Sequence, residues 1–285
     1  MNIKFSRIAA IQMVSTDNID KNLEAALRLI TQAAYAGAGL IVLPENFAVL
    51  DGPQVTFAER EGDFKAPLQG ALAEISRRLG IYLVAGTMPV ITRPVVADEA
   101  PVRLTDGRVR PASLVFDPDG QIIARYDKIH LFDVEVSDRQ ARYAESDSFE
   151  PGDECVVADT AAGKVGLSIC YDVRFPELYR RLVDQGAQIL TVPAAFTQVT
   201  GQAHWEVLLR ARAIENQCYV IGAGQGGVHS ERRETFGHSM IVDPWGRVMA
   251  MKARGEGVVY ADVDLAELQE IRRKMPVQQH QRLRN

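Results

Sequence analysis

Two halves of the chain carry the same ordered blocks. LIVLPENF (residues 40–47) precedes SLVFDPDGQIIARY (113–126), and ILTVPAAF (189–196) precedes SMIVDPWGRVMAMK (239–252). Each half reads strand, helix, strand ending in proline, helix, strand, then a hairpin closed by an Asp-Pro-x-Gly turn. Proline ends a pairing strand and glycine supplies the positive φ of a tight turn, so strand ends and hairpin tips fall at fixed points. A chain so patterned is expected to be α/β, with two similar α-β layers whose sheets pack face to face as a four-layer αββα sandwich. The alternative is that apolar strands and proline-ended turns recur in any α/β protein. At 285 residues the length corresponds to about 1.9 nominal domains. No flexible linker separates the halves, so one domain over 1–285 is expected.

The finer pattern predicts a strand over 5–13 and a helix over 20–36 from Leu23, Leu27, Ile30 and Ala34, with Asp20 as N-cap. Strands follow at 40–44 and 81–86, with a helix marked by Leu68, Leu72, Ile75 and Leu79 between them. Residues 87–111, rich in Pro, Arg and Asp, read as an irregular surface excursion. The second half predicts strands at 164–170, 187–193 and 218–224, with helices at 176–186 and 203–216. A strand at 257–263 and a helix from Leu265 close the chain.

Several function classes are disfavoured. Lys+Arg 32 against Asp+Glu 37 gives a net charge of −5, which makes no electrostatic case for nucleic acid or an anionic membrane. No apolar run approaches the length of a membrane span, and MNIKFSRIAAIQM lacks the apolar core of a signal peptide. Three cysteines without CxxC spacing point to reduced thiols in the cytoplasm. His130, His204, His229, His238 and His280 show no paired ligand spacing, so no metal is expected. G-x-S-x-G is absent. Gly222, Gly224 and Gly227 match a dinucleotide fingerprint, but the following VHSERRETFGHS has no apolar helical stripe to seat a pyrophosphate, and the match reads as chance.

What remains is a set of reactive side chains after apolar strands: Glu45 after LIVLP, Lys128 after QIIARYD, and Cys170 ending KVGLSIC. Strand ends in layered α/β proteins are where a rigid scaffold meets an open site. A thiol can attack an amide carbonyl, and a carboxylate can take its proton and return it to the leaving amine. An ammonium can favour the thiolate and stabilise the oxyanion, helped by a backbone N–H such as that of Tyr171. Taken singly, Cys170 could be a small buried hydrophobe, Glu45 a cap and Lys128 a solvated charge. Cys155 and Cys218 read as packing.

At these residues the sequence resembles the nitrilase (carbon–nitrogen hydrolase) superfamily: LIVLPEN, YDKIHLFD and SICYDVRFPEL carry its glutamate, lysine and cysteine, and the resemblance runs from Ile8 to about His280. It implies an αββα sandwich assembled into dimers or larger homo-oligomers, with no metal or organic cofactor. It further implies Glu45 as general base, Cys170 as nucleophile, Lys128 as cationic oxyanion stabiliser, and Glu145 in YAES as a second glutamate near the site. HLFDVEV, PAAFTQVTGQAHWEVLLRARAIENQCYV and GHSMIVDPWGRV are similar to the Nit branch. That branch implies a small-molecule 2-oxoacid amide as substrate. Deaminated glutathione is expected, with 2-oxoglutaramate or 2-oxosuccinamate, or the substrate of another amidase or carbamoylase of the superfamily, as the alternative. The substrate carboxylate asks for a cation, for which Arg174 stands four residues past Cys170, either for that purpose or as a surface ion pair with Glu177. Phe196 and Thr197 are expected in the pocket wall. The 203–216 helix is expected first in packing or a dimer interface.

Overall fold

The structure, a computed structural model, describes residues 7–50, 52, 54–61, 67–94 and 102–283. The expected strand residues 5–6 and excursion residues 95–101 lie outside them. The first half comprises β1 (Arg7–Gln12), α1 (Ile19–Tyr35), β2 (Leu40–Val42), α2 (Gln54–Glu61), α3 (Pro67–Leu79), β3 (Tyr82–Val84), β4 (Met88–Val90), β5 (Arg110–Phe116), β6 (Ile122–Asp127), β7 (Asp133–Glu135) and β8 (Arg142–Ala144). The second comprises β9 (Val157–Thr160), β10 (Gly163–Leu167), α4 (Pro176–Asp184), β11 (Ile189–Ala194), α5 (Gln198–Asn216), β12 (Tyr219–Gly224), β13 (Ser239–Val242), β14 (Val248–Lys252), β15 (Gly257–Asp262), α6 (Leu265–Lys274) and α7 (Val277–His280).

The two halves build the same sheet twice. One runs β15-β1-β2-β3-β5-β4 with β6 paired to β5, and the other runs β14-β13-β12-β11-β10-β9. In each, three parallel strands (β1, β2, β3; β10, β11, β12) lead to an antiparallel hairpin (β5–β6; β13–β14). The expected doubling of the fold is present, and the two Asp-Pro-x-Gly turns close those hairpins.

Side-chain alternation along each strand explains the layers. In the first sheet Ile8, Ala10, Leu40, Val42, Val84 and Val115 join a core with Val165, Leu167 and Val192 of the second. Their neighbours Ala9, Ile11, Ile41, Leu83, Leu114 and Phe116 face the other way, onto Ala26, Ile30, Leu72 and Ile75 of α1 and α3. Both faces are covered, which is why these strands read as unbroken apolar runs. Each such Val, Leu or Ile contributes roughly 1.5–3 kcal/mol on burial.

Three local expectations are corrected, and one pairing is added that the sequence left open. Asn18, not Asp20, caps α1, its side chain accepting from Lys21 N at 3.0 Å; Asp20 sits in the first turn, where a negative charge suits the helix dipole. The 203–216 helix starts at Gln198, because Thr197 Oγ1 accepts from Thr200 N and caps it there. The surface excursion is in part buried sheet: Met88, Val90, Val109 and Arg110 are covered because β4 pairs with β5. The last strand, β15, leaves its own half and pairs antiparallel with β1.

Candidate active site

Each reactive side chain is presented by a braced strand end. Glu45 follows β2, and its peptide is held from three sides. Gln225 Nε2 donates to Glu45 O at 3.0 Å, and Asn46 N donates to Thr87 Oγ1 at 2.8 Å. Gly86 turns there with φ +47°, and a Cβ at that position would overlap the Pro44 carbonyl. Lys128 follows β6, whose end is locked where Gly152 packs on the Asp127 carbonyl and donates to Lys128 O at 2.8 Å. Asp127 in turn pairs with Arg110 and Arg125.

Cys170 opens a one-turn 3-10 helix (Cys170–Arg174) and has φ +45°, a left-handed conformation that costs a non-glycine residue roughly 1–3 kcal/mol. The buried Asp172 holds it there. Its carboxylate accepts from Ile169 N (2.8 Å), Tyr126 OH (2.7 Å) and His130 N (3.1 Å), and also meets His130 Nδ1 at 2.7 Å. Tyr126 and His130 flank Lys128, so one carboxylate fixes the cysteine turn against the lysine strand.

The lysine lies between two carboxylates. Lys128 Nζ donates to Glu45 Oε1 at 2.9 Å and to Glu145 Oε1 and Oε2 at 3.0 and 2.8 Å. Ala195 N donates to Glu45 Oε2 at 2.9 Å, and Phe132 N to Glu145 Oε2 at 2.8 Å. Burial alone would lower the Lys128 pKa, but Glu145 and Glu45 overcome it and hold it well above the usual lysine value. Burial pushes the Cys170 thiol well above its usual range, with Glu45 acting the same way; Lys128 and the Ala195 amide oppose this without reversing it. The ammonium does act in favour of the thiolate, as expected, but burial and Glu45 outweigh it. The resting nucleophile is a thiol, because a desolvated thiolate beside a carboxylate is disfavoured more than one ammonium can offset.

A cavity is lined by Glu45, Glu145, Cys170 and Tyr171, with Phe196 and Thr197 in its wall. Six of the eight residues singled out from the sequence line it, and Lys128 bonds both of its carboxylates. Arg174 is not in the lining: it faces His204 Nδ1 at 3.2 Å and stacks over Phe196 at 5.4 Å. It forms no ion pair with Glu177 among the described residues either. The arginine in the cavity wall is Arg233, which sequence reading passed over inside the failed dinucleotide match. Asn46, Phe132, Tyr143, Ala195 and Thr200 complete the lining.

No group of three or more His, Cys, Asp or Glu side chains placed to hold a metal occurs among the described residues. Gly222, Gly224 and Gly227 lead into the β12–β13 connection, where no helix N-terminus meets them. No helix among the described residues is long and apolar enough to cross a membrane. An acidic pair, a buried ammonium and a thiol around one cavity are equipped for acyl transfer through a thioester.

Comparison with known proteins agrees with this chemistry. Deaminated glutathione amidase of Yersinia enterocolitica is 43% identical over 283 residues, covering 98% of this chain and 94% of that one. The structure of the C. elegans NitFhit protein superposes with TM-score 0.85 at 38% identity over 97% of this chain, which spans 65% of that protein's length. Nit3 of Saccharomyces cerevisiae, a member of branch 10 of the nitrilase superfamily, superposes with TM-score 0.84 at 29% identity over 98% and 97% of the two chains. Residues 7–273 match the family described as Carbon-nitrogen hydrolase, and the protein belongs to that family.

Proposed function

We propose that this chain is a cysteine-dependent amidase acting on the amide of a 2-oxoacid, with deaminated glutathione as substrate, and that residues 1–285 work as one catalytic domain. The observation that carries the reading is Lys128 held between Glu45 and Glu145 beside the cavity that Cys170 lines. The preference for deaminated glutathione is supported by the name of the 43%-identical relative.

Glu45 takes the Cys170 proton as Sγ attacks the amide carbon, because the resting thiol is too weak an acid to ionise alone. Charge developing on the carbonyl oxygen is met by the Lys128 ammonium and the Tyr171 amide. The carbon–nitrogen bond breaks, Glu45 returns its proton to the departing amine, and a 2-oxoglutaryl thioester remains on Cys170. Water, deprotonated by Glu45, attacks the thioester; 2-oxoglutarate leaves and Cys170 recovers its proton. Glu145 keeps Lys128 charged and oriented throughout.

Three free thiols favour the cytoplasm, where Cys170 stays reduced. Assembly into dimers or larger oligomers is supported by exposed apolar side chains on and beside α5: Val207, Ile214 and, next to Gly246 which Ile214 touches, Trp245. Purified protein should convert deaminated glutathione to 2-oxoglutarate and cysteinylglycine with higher kcat/KM than it shows for 2-oxoglutaramate, 2-oxosuccinamate, simple nitriles or N-carbamoyl amino acids. A higher kcat/KM for any of these would overturn the substrate assignment.

A further inference from the structure

We propose that Arg233 binds the carboxylate of the 2-oxoacid end of the substrate; this deepens the reading above and rests on it. Arg233 lies in the connection between β12 and β13 and lines the cavity with Cys170 and Glu45. Its position is fixed. Arg233 N donates to Ser230 Oγ at 3.1 Å, and His229 N donates to Arg233 O at 3.0 Å. Two residues on, Thr235 N donates to Gly227 O at 2.9 Å, and Thr235 bridges to Thr197. The guanidinium reaches across to Ala195, whose carbonyl accepts from Nη2 at 3.0 Å. The N–H of that same residue holds Glu45 Oε2, so one residue spaces the arginine from the reacting groups.

The guanidinium is left without a carboxylate partner among the described residues. Nε and Nη1 are buried and meet no acceptor among the described residues. Arginine cannot shed its charge, so buried unpaired donors are costly, and a native orphan of this kind calls for a partner. Tyr143 meets the guanidinium, which lies 4.8 Å from its ring centroid and acts on its hydroxyl as a cation, but a neutral phenol does not neutralise the charge. Nor do the cavity's carboxylates. Glu45 and Glu145 are both bonded to Lys128, and no ion pair joins either to Arg233 among the described residues. A cavity that holds a positioned guanidinium with no carboxylate partner among the described residues, beside an amide-cleaving site, suits an acyl group ending in a carboxylate, which is what a 2-oxoacid amide presents. Arg174 had been the sequence candidate for this task, but it faces His204 outside the lining.

The test compares Arg233→Met and Arg233→Lys with the unaltered protein on three acyl compounds: deaminated glutathione, 2-oxoglutaramate and the neutral ester p-nitrophenyl butyrate. Removing one partner of a buried charge pair should lower kcat/KM for both carboxylate-bearing substrates about 10²-fold more than for the ester, with Arg233→Lys recovering part of the loss. Equal losses on all three would overturn the assignment, and so would a loss confined to deaminated glutathione, which would place Arg233 on the glycyl carboxylate instead. Binding of 2-oxoglutarate to the Cys170→Ala protein, with and without Arg233→Met, separates the two readings. Arg233-dependent binding without turnover of deaminated glutathione keeps this inference and overturns the substrate. Turnover that Arg233→Met leaves intact does the reverse, and binding that ignores Arg233 also refutes the inference.

Discussion

Replacing Lys128 by methionine removes the charge that the buried Glu45 and the half-buried Glu145 share while nearly preserving the volume of the side chain. In the folded protein the Lys128 side chain is 1% exposed, that of Glu45 5%, and that of Glu145 23%. Breaking a buried pair by deleting one partner costs about 3–5 kcal/mol, because the other partner stays buried without its counter-ion. Glu45 keeps the Ala195 N–H and Glu145 keeps the Phe132 N–H, so the loss belongs at the lower end, about 3–4 kcal/mol. At about 2–4 °C per kcal/mol for a chain of this size class, Tm should fall by roughly 6–16 °C. Glu45→Gln introduced into Lys128→Met removes one of the stranded charges, so the double variant should be more stable than the sum of the single changes predicts, by at least about 1 kcal/mol. Urea and thermal unfolding followed by circular dichroism measure all four corners of this cycle without reference to activity. A Lys128→Met protein within about 0.5 kcal/mol of the unaltered chain, or strict additivity in the cycle, would refute the reasoning.

Other outcomes follow from the same structure. Hydrogen bonds from Arg93 and then Arg110 pull Glu150 down to about 2 from its ordinary 4.5. A depressed carboxylate contributes stability above its unfolded pKa and loses it as pH falls toward the folded one. Glu150→Gln should therefore cost up to about 3 kcal/mol at neutral pH, with the two stability curves converging between pH 4.5 and about 2 in acid titrations. Gly86→Ala, which forces a Cβ onto the Pro44 carbonyl at φ +47°, should destabilise by more than about 1 kcal/mol and lower kcat through Glu45, read by unfolding and steady-state kinetics together. Alkylation of Cys170 by iodoacetamide should be slow at neutral pH and still accelerating above pH 9, since burial and Glu45 keep the thiol protonated; peptide mapping that shows a plateau near neutrality would contradict this.

The parts of this protein that were legible in its sequence are those encoded by contiguous residues. LIVLP, KVGLSIC and the two Asp-Pro-x-Gly turns mark β2, β10 and the hairpins directly, and each reactive residue stands just past such a strand. The illegible parts depend on contacts between distant residues. Arg233 finds Ala195 38 residues away and the Tyr143 ring 90 residues away, so nothing within HSERRETFGHS announces it. Arg174, near the nucleophile in sequence, ends behind the Tyr171 and Phe196 rings beside His204, outside the cavity lining. β15 pairs with β1 because the edge of the first sheet lies open beside the end of β14, a fact of topology and not of local pattern. The protonated state of Cys170 was hidden for a similar reason: its spacing from a lysine was readable, whereas its burial was not.

The account turns on Cys170 accepting the acyl group. Intact-mass analysis of the protein, acid-quenched during turnover of deaminated glutathione and followed by peptide mapping, observes that step directly. The account predicts a 2-oxoglutaryl adduct on the Cys170 peptide, lost when substrate is exhausted and absent from Cys170→Ala, which should produce no cysteinylglycine. Cysteinylglycine released at an undiminished rate by Cys170→Ala, or an adduct mapped to Cys155 or Cys218, would contradict it.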